Sequence, residues 1–363
     1  MIFLLLACFT AILFAVTFLP MMRITHWVVR ACDFPRLQFA VIAAVLLILE
    51  LLYLPFGQIS SCLILFITLV CFCIQLWWVI PYTRLFSKEV KASDNPDQRS
   101  QITLLTSNVL TPNRQVHKLI NLIKHHQPDV VVTLESDQWW EEQLSVIEKD
   151  LPYTVKCPLD NLYGMHVYSR FPLSDTSLSF LVEDDVPSVH TNLTLANGQV
   201  VRIHFLHPAP PSPTENTQSS ERDAEIAIVA RSIADTDEPV IVTGDLNDVA
   251  WSTTTRLFRK ISGLLDPRVG RGMFCTFHAS FPFLRWPLDH VFHSSHFTLS
   301  HIERLPSIGS DHFPLLTQLA LTPKQGQDQE PINSDEEDEQ LVKDMAQEEG
   351  VTKEDVPQPR TTS

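Results

Sequence analysis

Three apolar runs fall within the first 82 residues, at 2–22, 37–56 and 62–81, each near the ~20 residues that a helix needs to cross a bilayer. No single soluble globule accommodates them, so the chain divides into a three-span anchor (1–84), a linker (85–100), a globular part (101–323) and a polar tail (324–363). The first run lacks a basic leader and a small-residue cleavage site, and two more runs follow it, so it reads as a retained span rather than a signal peptide. Glu50 lies inside the second run, where an ionisable side chain is costly; a partner in a helix interface or a position near the membrane edge accounts for it without a function. Arg23, Arg30 and Arg36 separate the first two runs, and Arg84, Lys88 and Lys91 follow the third. The positive-inside rule puts these segments, and the globular part, in the cytoplasm; the charge-free N-terminus leaves the opposite orientation open.

Charge narrows the partners. The chain carries −15 overall, and residues 332–363 hold ten carboxylates against three basic groups. Such a tail buries too little apolar surface to fold alone and is expected to be disordered, free to recruit an unknown partner. No basic stripe of the kind that grips nucleic-acid phosphates is visible elsewhere. Only Cys157 and Cys275 lie in the globular part, and neither belongs to a zinc-type spacing or a disulfide framework.

From residue 101 onward, buried strand-like runs alternate with helical periodicity. Strands are expected at 102–108, 129–135, 164–169, 188–195, 200–206, 240–243, 289–293 and 315–321, with amphipathic helices at 114–126 and 217–234 and a hairpin turn at Asn197-Gly198. Mixed hairpins and crossovers of this kind make an α/β layered domain built on packed sheets.

Polar residues repeatedly end these apolar runs: Asn108, Glu135, His207, Asp245 with Asn247, Asp289, and the run Ser310-Asp311-His312. One such ending is an ordinary turn; six indicate a shared face. Glu135 and Asp311 are hard oxygen donors of the kind that Mg²⁺ or Mn²⁺ accepts. His312 suits a base or an electrostatic partner oriented by Asp289, and Asp245 suits a residue that positions or activates water. Asn108, Asn247 and His207 can donate hydrogen bonds where charge accumulates on a phosphoryl group. Arg170 and Arg222 are further phosphate candidates, although ion pairing is their commoner use. Residues 277–286, bearing Phe277, Phe281, Phe283 and Trp286, are either core or a substrate-binding lip. Ser310 cannot serve a hydrolase triad with its immediate neighbours Asp311 and His312, because consecutive residues cannot adopt that geometry.

Asn108, TLE (133–135), GDLND (244–248), PLDHVF (287–292) and GSDHFP (309–314), in this order, resemble the motifs of the endonuclease/exonuclease/phosphatase superfamily over residues 101–321. The arrangement also resembles a bacterial branch of that superfamily in which three spans precede the catalytic domain. The resemblance implies a four-layered α/β sandwich, two packed mixed sheets flanked by helices, with the site at one rim and a divalent metal. By position it implies Glu135 as metal ligand, Asp311 as a further ligand or close neighbour of one, and Asp289 paired with His312. It further implies Asp245 acting on the attacking water, with Asn247 and Asn108 on the phosphoryl oxygens. His207 matches the histidine that touches the scissile phosphate in deoxyribonuclease-like members. The glutamate that partners it there is missing, with Tyr163 and Gly164 in its place.

The expectation is a membrane-anchored, Mg²⁺- or Mn²⁺-dependent hydrolase of phosphate esters, either diester or monoester. Acidity and anchor favour a lipid phosphate or a small phosphorylated molecule over DNA. A nuclease of the same fold and a non-catalytic phosphate-binding scaffold are the alternatives.

Overall fold

The structure is a computed structural model that describes residues 1–94 and 96–359; Asn95 in the linker and the last four residues of the tail lie outside the described residues. Its N-terminal part holds α1 (Ile2–Phe18), the short α2 (Trp27–Ala31), α3 (Arg36–Tyr53) and α4 (Ile59–Val79). Three helical stretches, Ile2–Met21, Arg36–Tyr53 and Ile59–Tyr82, are long and apolar enough to cross a membrane. Their outward faces are predominantly apolar, while Thr10, Thr17, Glu50, Thr68 and Gln75 are turned inward. Glu50 is fully buried, and its Oε1 accepts hydrogen bonds of 2.8 Å from both Thr10 and Thr68. Gln75 donates to Thr17 Oγ1 at 3.0 Å. These bonds join helices that apolar packing alone would not register.

The following part runs β1 (Gln101–Asn108), α5 (Val116–His126), β2 (Val130–Leu134), α6 (Gln138–Leu144), β3 (Tyr153–Cys157), β4 (Met165–Ser169), β5 (Leu173–Ser179), β6 (Ser188–Thr194), β7 (Val200–Leu206), α7 (Ser220–Ile233), β8 (Val240–Asp245), α8 (Thr253–Ser262), β9 (Asp289–His293), β10 (Phe297–Arg304) and β11 (Leu315–Leu321). One sheet has the order β10-β11-β1-β2-β4-β3, the other β5-β6-β7-β8-β9. Each is mixed, with one parallel pair: β1 with β2, and β7 with β8. Inward-facing Ile102, Leu104, Val130, Val132, Ile203 and Ile241 pack the sheets together. The opposite residues of the same strands take helices instead: Leu105 and Val131 meet α5 and α6, while Val240 and Val242 meet α7 and α8. Strands apolar on both faces therefore dictate the four layers.

The tail departs from expectation. After α9 (Pro323–Gly326), α10 (Glu336–Glu348) folds against α7 and α8, with Val342, Ala346 and Val356 buried there. Leu341, Val342, Met345 and Ala346 recur at helical spacing and supply an apolar stripe, and Asp335 and Asp338 form a capping box. Carboxylates crowd the first turn, where the helix dipole favours them, and Asp338 reaches Lys260 at 2.5 Å. The acidic composition thus conceals an amphipathic helix.

Candidate active site

Pairing geometry brings the polar strand ends to one rim. In the first sheet Asn108 lies in register with Leu134, so Glu135 emerges beside it. Antiparallel β11 begins opposite Thr106, which carries the preceding Asp311-His312 turn to the same edge. In the second sheet Leu206 pairs with Gly244, so His207 and Asp245 follow side by side, and Asp289 of antiparallel β9 pairs with Asp245 itself. Thr106 and Thr243, each two residues before a site residue, meet through their hydroxyls at 2.8 Å across the sheets. The two rims are thereby joined.

Two backbone features aim the carboxylates. A Cβ on Gly244, whose φ is +147°, would meet Leu206 O at 1.9 Å, so only glycine lets the strands close beneath Asp245. Glu135 adopts φ +58°, a left-handed conformation costing on the order of 1 kcal/mol for a residue with a side chain. Ser136 N donates to Gly164 O at 2.9 Å, and a Cβ on Gly164 would meet Ser136 O at 2.0 Å, so this glycine permits the turn.

The side chains form one hydrogen-bonded network. Asn108 Nδ2 donates to Glu135 Oε1 at 2.7 Å and Asp245 Oδ2 at 3.3 Å. His312 Nδ1 lies 2.8 Å from Asp289 Oδ2, its Nε2 lies 3.5 Å from Asp245 Oδ2, and His207 Nε2 stands 4.0 Å from the same oxygen. Burial acting alone would lower the His312 pKa, but Asp289 and Asp245 outweigh it and carry the imidazole up to about 10. Burial also raises the Asp245 carboxyl, so the pair competes for a proton. We place it on His312, which alone has a second carboxylate to stabilise the charge. His207 is the reverse case: burial holds it down at about 4, so it is neutral at pH 7.

The donor set fits a hard divalent cation. Asp245, Asp289 and His312 present ligand atoms within 4.8 Å of one another, all buried. Two further observations concern unsatisfied atoms: Glu135 Oε2 and Asp289 Oδ1 are buried without a hydrogen-bond partner. Burial, the largest influence on Glu135, pushes its pKa up to about 8. A carboxylate in that condition takes either a proton or a cation. His312 is already engaged by two carboxylates, whereas Glu135 has a free oxygen, so Glu135 is the stronger candidate ligand. Asp311 is only partly exposed and accepts a 3.3 Å bond from Ser310 Oγ; its charge also raises Glu135.

Other expected residues have different surroundings. Asn247 is placed by its own N–H on Asp245 Oδ1 at 2.9 Å, and its Nδ2 donates to Pro208 O at 3.0 Å. Arg222 does not face the rim: it is buried against Asp223 and donates to Asn247 O at 2.8 Å, bracing that loop. Arg170 pairs with Asp129 at 3.2 Å. Phe277 packs on His312 with ring centroids 4.9 Å apart and on Trp286 at 6.1 Å, while Phe281 and Phe283 are exposed. Tyr163, standing where a glutamate partner for His207 was missing, packs on that histidine at 5.4 Å and donates its hydroxyl to Glu215. His207 Nδ1 is left without a partner. Glu215 was not expected at the site, since nothing in the sequence ties it to a residue 52 positions away.

The sequence profile of the "Endonuclease/Exonuclease/phosphatase family" matches residues 105–312. No curated protein matches the chain. Among solved structures, D. rerio TDP2 complexed with single-strand DNA product superposes with a TM-score of 0.51 at 17% identity, covering 61% of this chain and 99% of that one. The human nocturnin catalytic domain with bound sulfate gives 0.50 at 16% identity, covering 62% and 96%. At such identities the likeness concerns the fold. The profile spans more than half of the sequence and every strand-end residue from Asn108 to His312, and the chain belongs to the endonuclease/exonuclease/phosphatase family.

Proposed function

We propose that the protein is a membrane-anchored hydrolase of phosphate esters that works with Mg²⁺ or Mn²⁺. The observation that carries the reading is the buried chain Asp289–His312–Asp245, tied through Asn108 to a Glu135 with one unsatisfied oxygen. Glu135, with Asp311 nearby, would hold the cation, whose chemistry is to neutralise phosphoryl charge and polarise the ester. Asp289 fixes the His312 ring and keeps it cationic. His312 in turn holds Asp245 ionised and oriented. Asp245 takes a proton from the attacking water as oxygen bonds to phosphorus and the bond to the leaving oxygen breaks. Asn108 spends its amide hydrogens on Glu135 and Asp245, so its part is to hold the two carboxylates in register. The second amide hydrogen of Asn247 and the neutral His207 ring are the donors available to a phosphoryl oxygen.

Net charge of −15 and three apolar helices favour a lipid phosphate or a small phosphorylated molecule. The D. rerio neighbour holds a DNA product, yet a DNA substrate asks for a basic surface that this composition does not supply. The reading is tested with the full-length chain in detergent, assayed on bis-p-nitrophenyl phosphate, p-nitrophenyl phosphate, phospholipids and plasmid DNA with Mg²⁺, Mn²⁺ or EDTA. Metal-dependent turnover that EDTA abolishes is expected, with plasmid the poorest substrate; EDTA-resistant turnover rejects the metal, and plasmid as best substrate rejects the preference.

A further inference from the structure

The first turns of α3 do not stand clear of the catalytic part. Gln38 Nε2 donates to Phe283 O at 2.8 Å, and between α3 and the 273–285 loop lies a groove of about 840 Å³. Leu37, Val41 and Ile42 form one wall and Met273, Phe274 and Phe283 the other. The wall on α3 belongs to a stretch apolar enough to lie in a bilayer, and the wall opposite carries Phe283, which is 88% exposed. Side chains of that size are left bare where lipid, not water, is the solvent.

The same groove is cationic along its catalytic side. Arg285 and Arg304 both line it and both stack on the Phe313 ring, with guanidinium carbons 4.9 and 4.4 Å from its centroid. Each is held by one carbonyl, Arg285 by Ala279 and Arg304 by Cys275, and among the described residues neither pairs with a carboxylate. Arg285 Nε is buried with no partner at all. Among the described residues, the one acidic residue in the lining, Glu303, lies 3.1 Å from His301 Nε2. Two guanidiniums held on one ring beside an apolar channel call for a ligand with an anionic head and a hydrocarbon tail. We propose that this groove binds an anionic phospholipid from the surrounding leaflet, its phosphate on Arg285 and Arg304 and an acyl chain along Val41 and Ile42. Phe313 adjoins His312, and Ala279 N donates to Asp311 O at 2.6 Å, so the bound lipid braces the loop that carries His312. The assignment stands whether or not that lipid is also hydrolysed.

The test is a titration of the purified full-length chain in uncharged detergent with fluorescent phosphatidylglycerol and, in parallel, fluorescent phosphatidylcholine. Phosphatidylglycerol is expected to bind about tenfold or more tighter, since each arginine at a lipid surface contributes to that preference. Arg285→Ala/Arg304→Ala removes the preference, the double Arg→Lys variant keeps most of it, and Ile42→Trp, which fills the groove from the lipid-facing helix, weakens both lipids. Equal affinity of the wild type for the two lipids overturns the proposal, as does binding unchanged by Ile42→Trp. Should the double alanine variant fail to fold, Ile42→Trp decides alone, because its position is on an exposed helix face.

Discussion

Glu135 and His312 divide the labour of the site by the company each keeps. His312 is flanked by two carboxylates that favour its cationic form; Glu135 has one side-chain donor, Asn108, and its pKa is raised by burial and by the like charges of Asp311 and Asp245 nearby. Glu135→Gln keeps the shape and the Asn108 contact through its amide oxygen while removing the charge that a cation needs. The half-saturating Mn²⁺ concentration for turnover is expected to rise at least about tenfold, in line with the loss of a ligand contact. An unchanged titration would assign the cation to the Asp245–Asp289–His312 cluster instead. That the strand-end carboxylates share one rim was legible in the sequence because buried strands end abruptly: VVVTL runs into Glu135 and VIVTG into Asp245. Their commitments were not. That Asn108 spends both amide hydrogens on carboxylates, and that Tyr163 joins His207 to Glu215, depends on loops meeting in space.

At the scale of elements, sequence pattern served buried strands best. β7, β9 and β11 begin and end where alternation and apolar runs put them, and the Asn197-Gly198 turn joins β6 to β7, with Gly198 at φ +85°. β5 escaped notice because LSDTSLS is a half-exposed edge strand whose partners supply its order. α10 escaped because its charge hid its stripe. The β6–β7 hairpin also carries a pH liability. His190 and His204 are register partners with Nδ1 atoms 2.7 Å apart, and burial, with Arg202 adding to it, holds His190 down at about 3 and His204 well below its ordinary value. The folded pair stays neutral while the unfolded chain takes up protons below about pH 6.5, so stability is full above that pH and falls as pH drops towards 3. Thermal melts from pH 7 to 4.5 should fall more steeply for wild type than for His190→Leu/His204→Leu. Each histidine removed lessens the slope by up to about 1.4 kcal/mol per pH unit. Parallel profiles would mean that the pair is already charged in the fold.

The whole molecule is more integrated than a division into anchor, linker, domain and tail suggests. Residues between α1 and α3 are built into the α/β part: Trp27 N donates to Thr217 O at 3.0 Å and Trp251 Nε1 to Asp33 O at 2.8 Å. The C-terminal segment covers α7 and reaches Arg202, which donates to Pro357 O at 2.5 Å. Removal of the N-terminal segment would uncover the apolar face around Trp251, and removal of the C-terminal segment the face around Phe258. Val342 is 1% exposed on the face of α10 that packs against α7 and α8, so Val342→Asp is expected to cost about 3 kcal/mol and lower Tm by roughly 5–10 °C. An unchanged Tm would mean that α10 is undocked in solution.

The Asp289–His312–Asp245 chain is the proposed agent of hydrolysis. The most direct measurement is the turnover of bis-p-nitrophenyl phosphate by the full-length chain in detergent with Mn²⁺, comparing wild type with Asp245→Ala and His312→Ala at matched Tm. Each variant is expected to lose about 10²–10⁴ in kcat, the range for removing a positioned acid–base group. Near wild-type kcat in either variant would contradict the account.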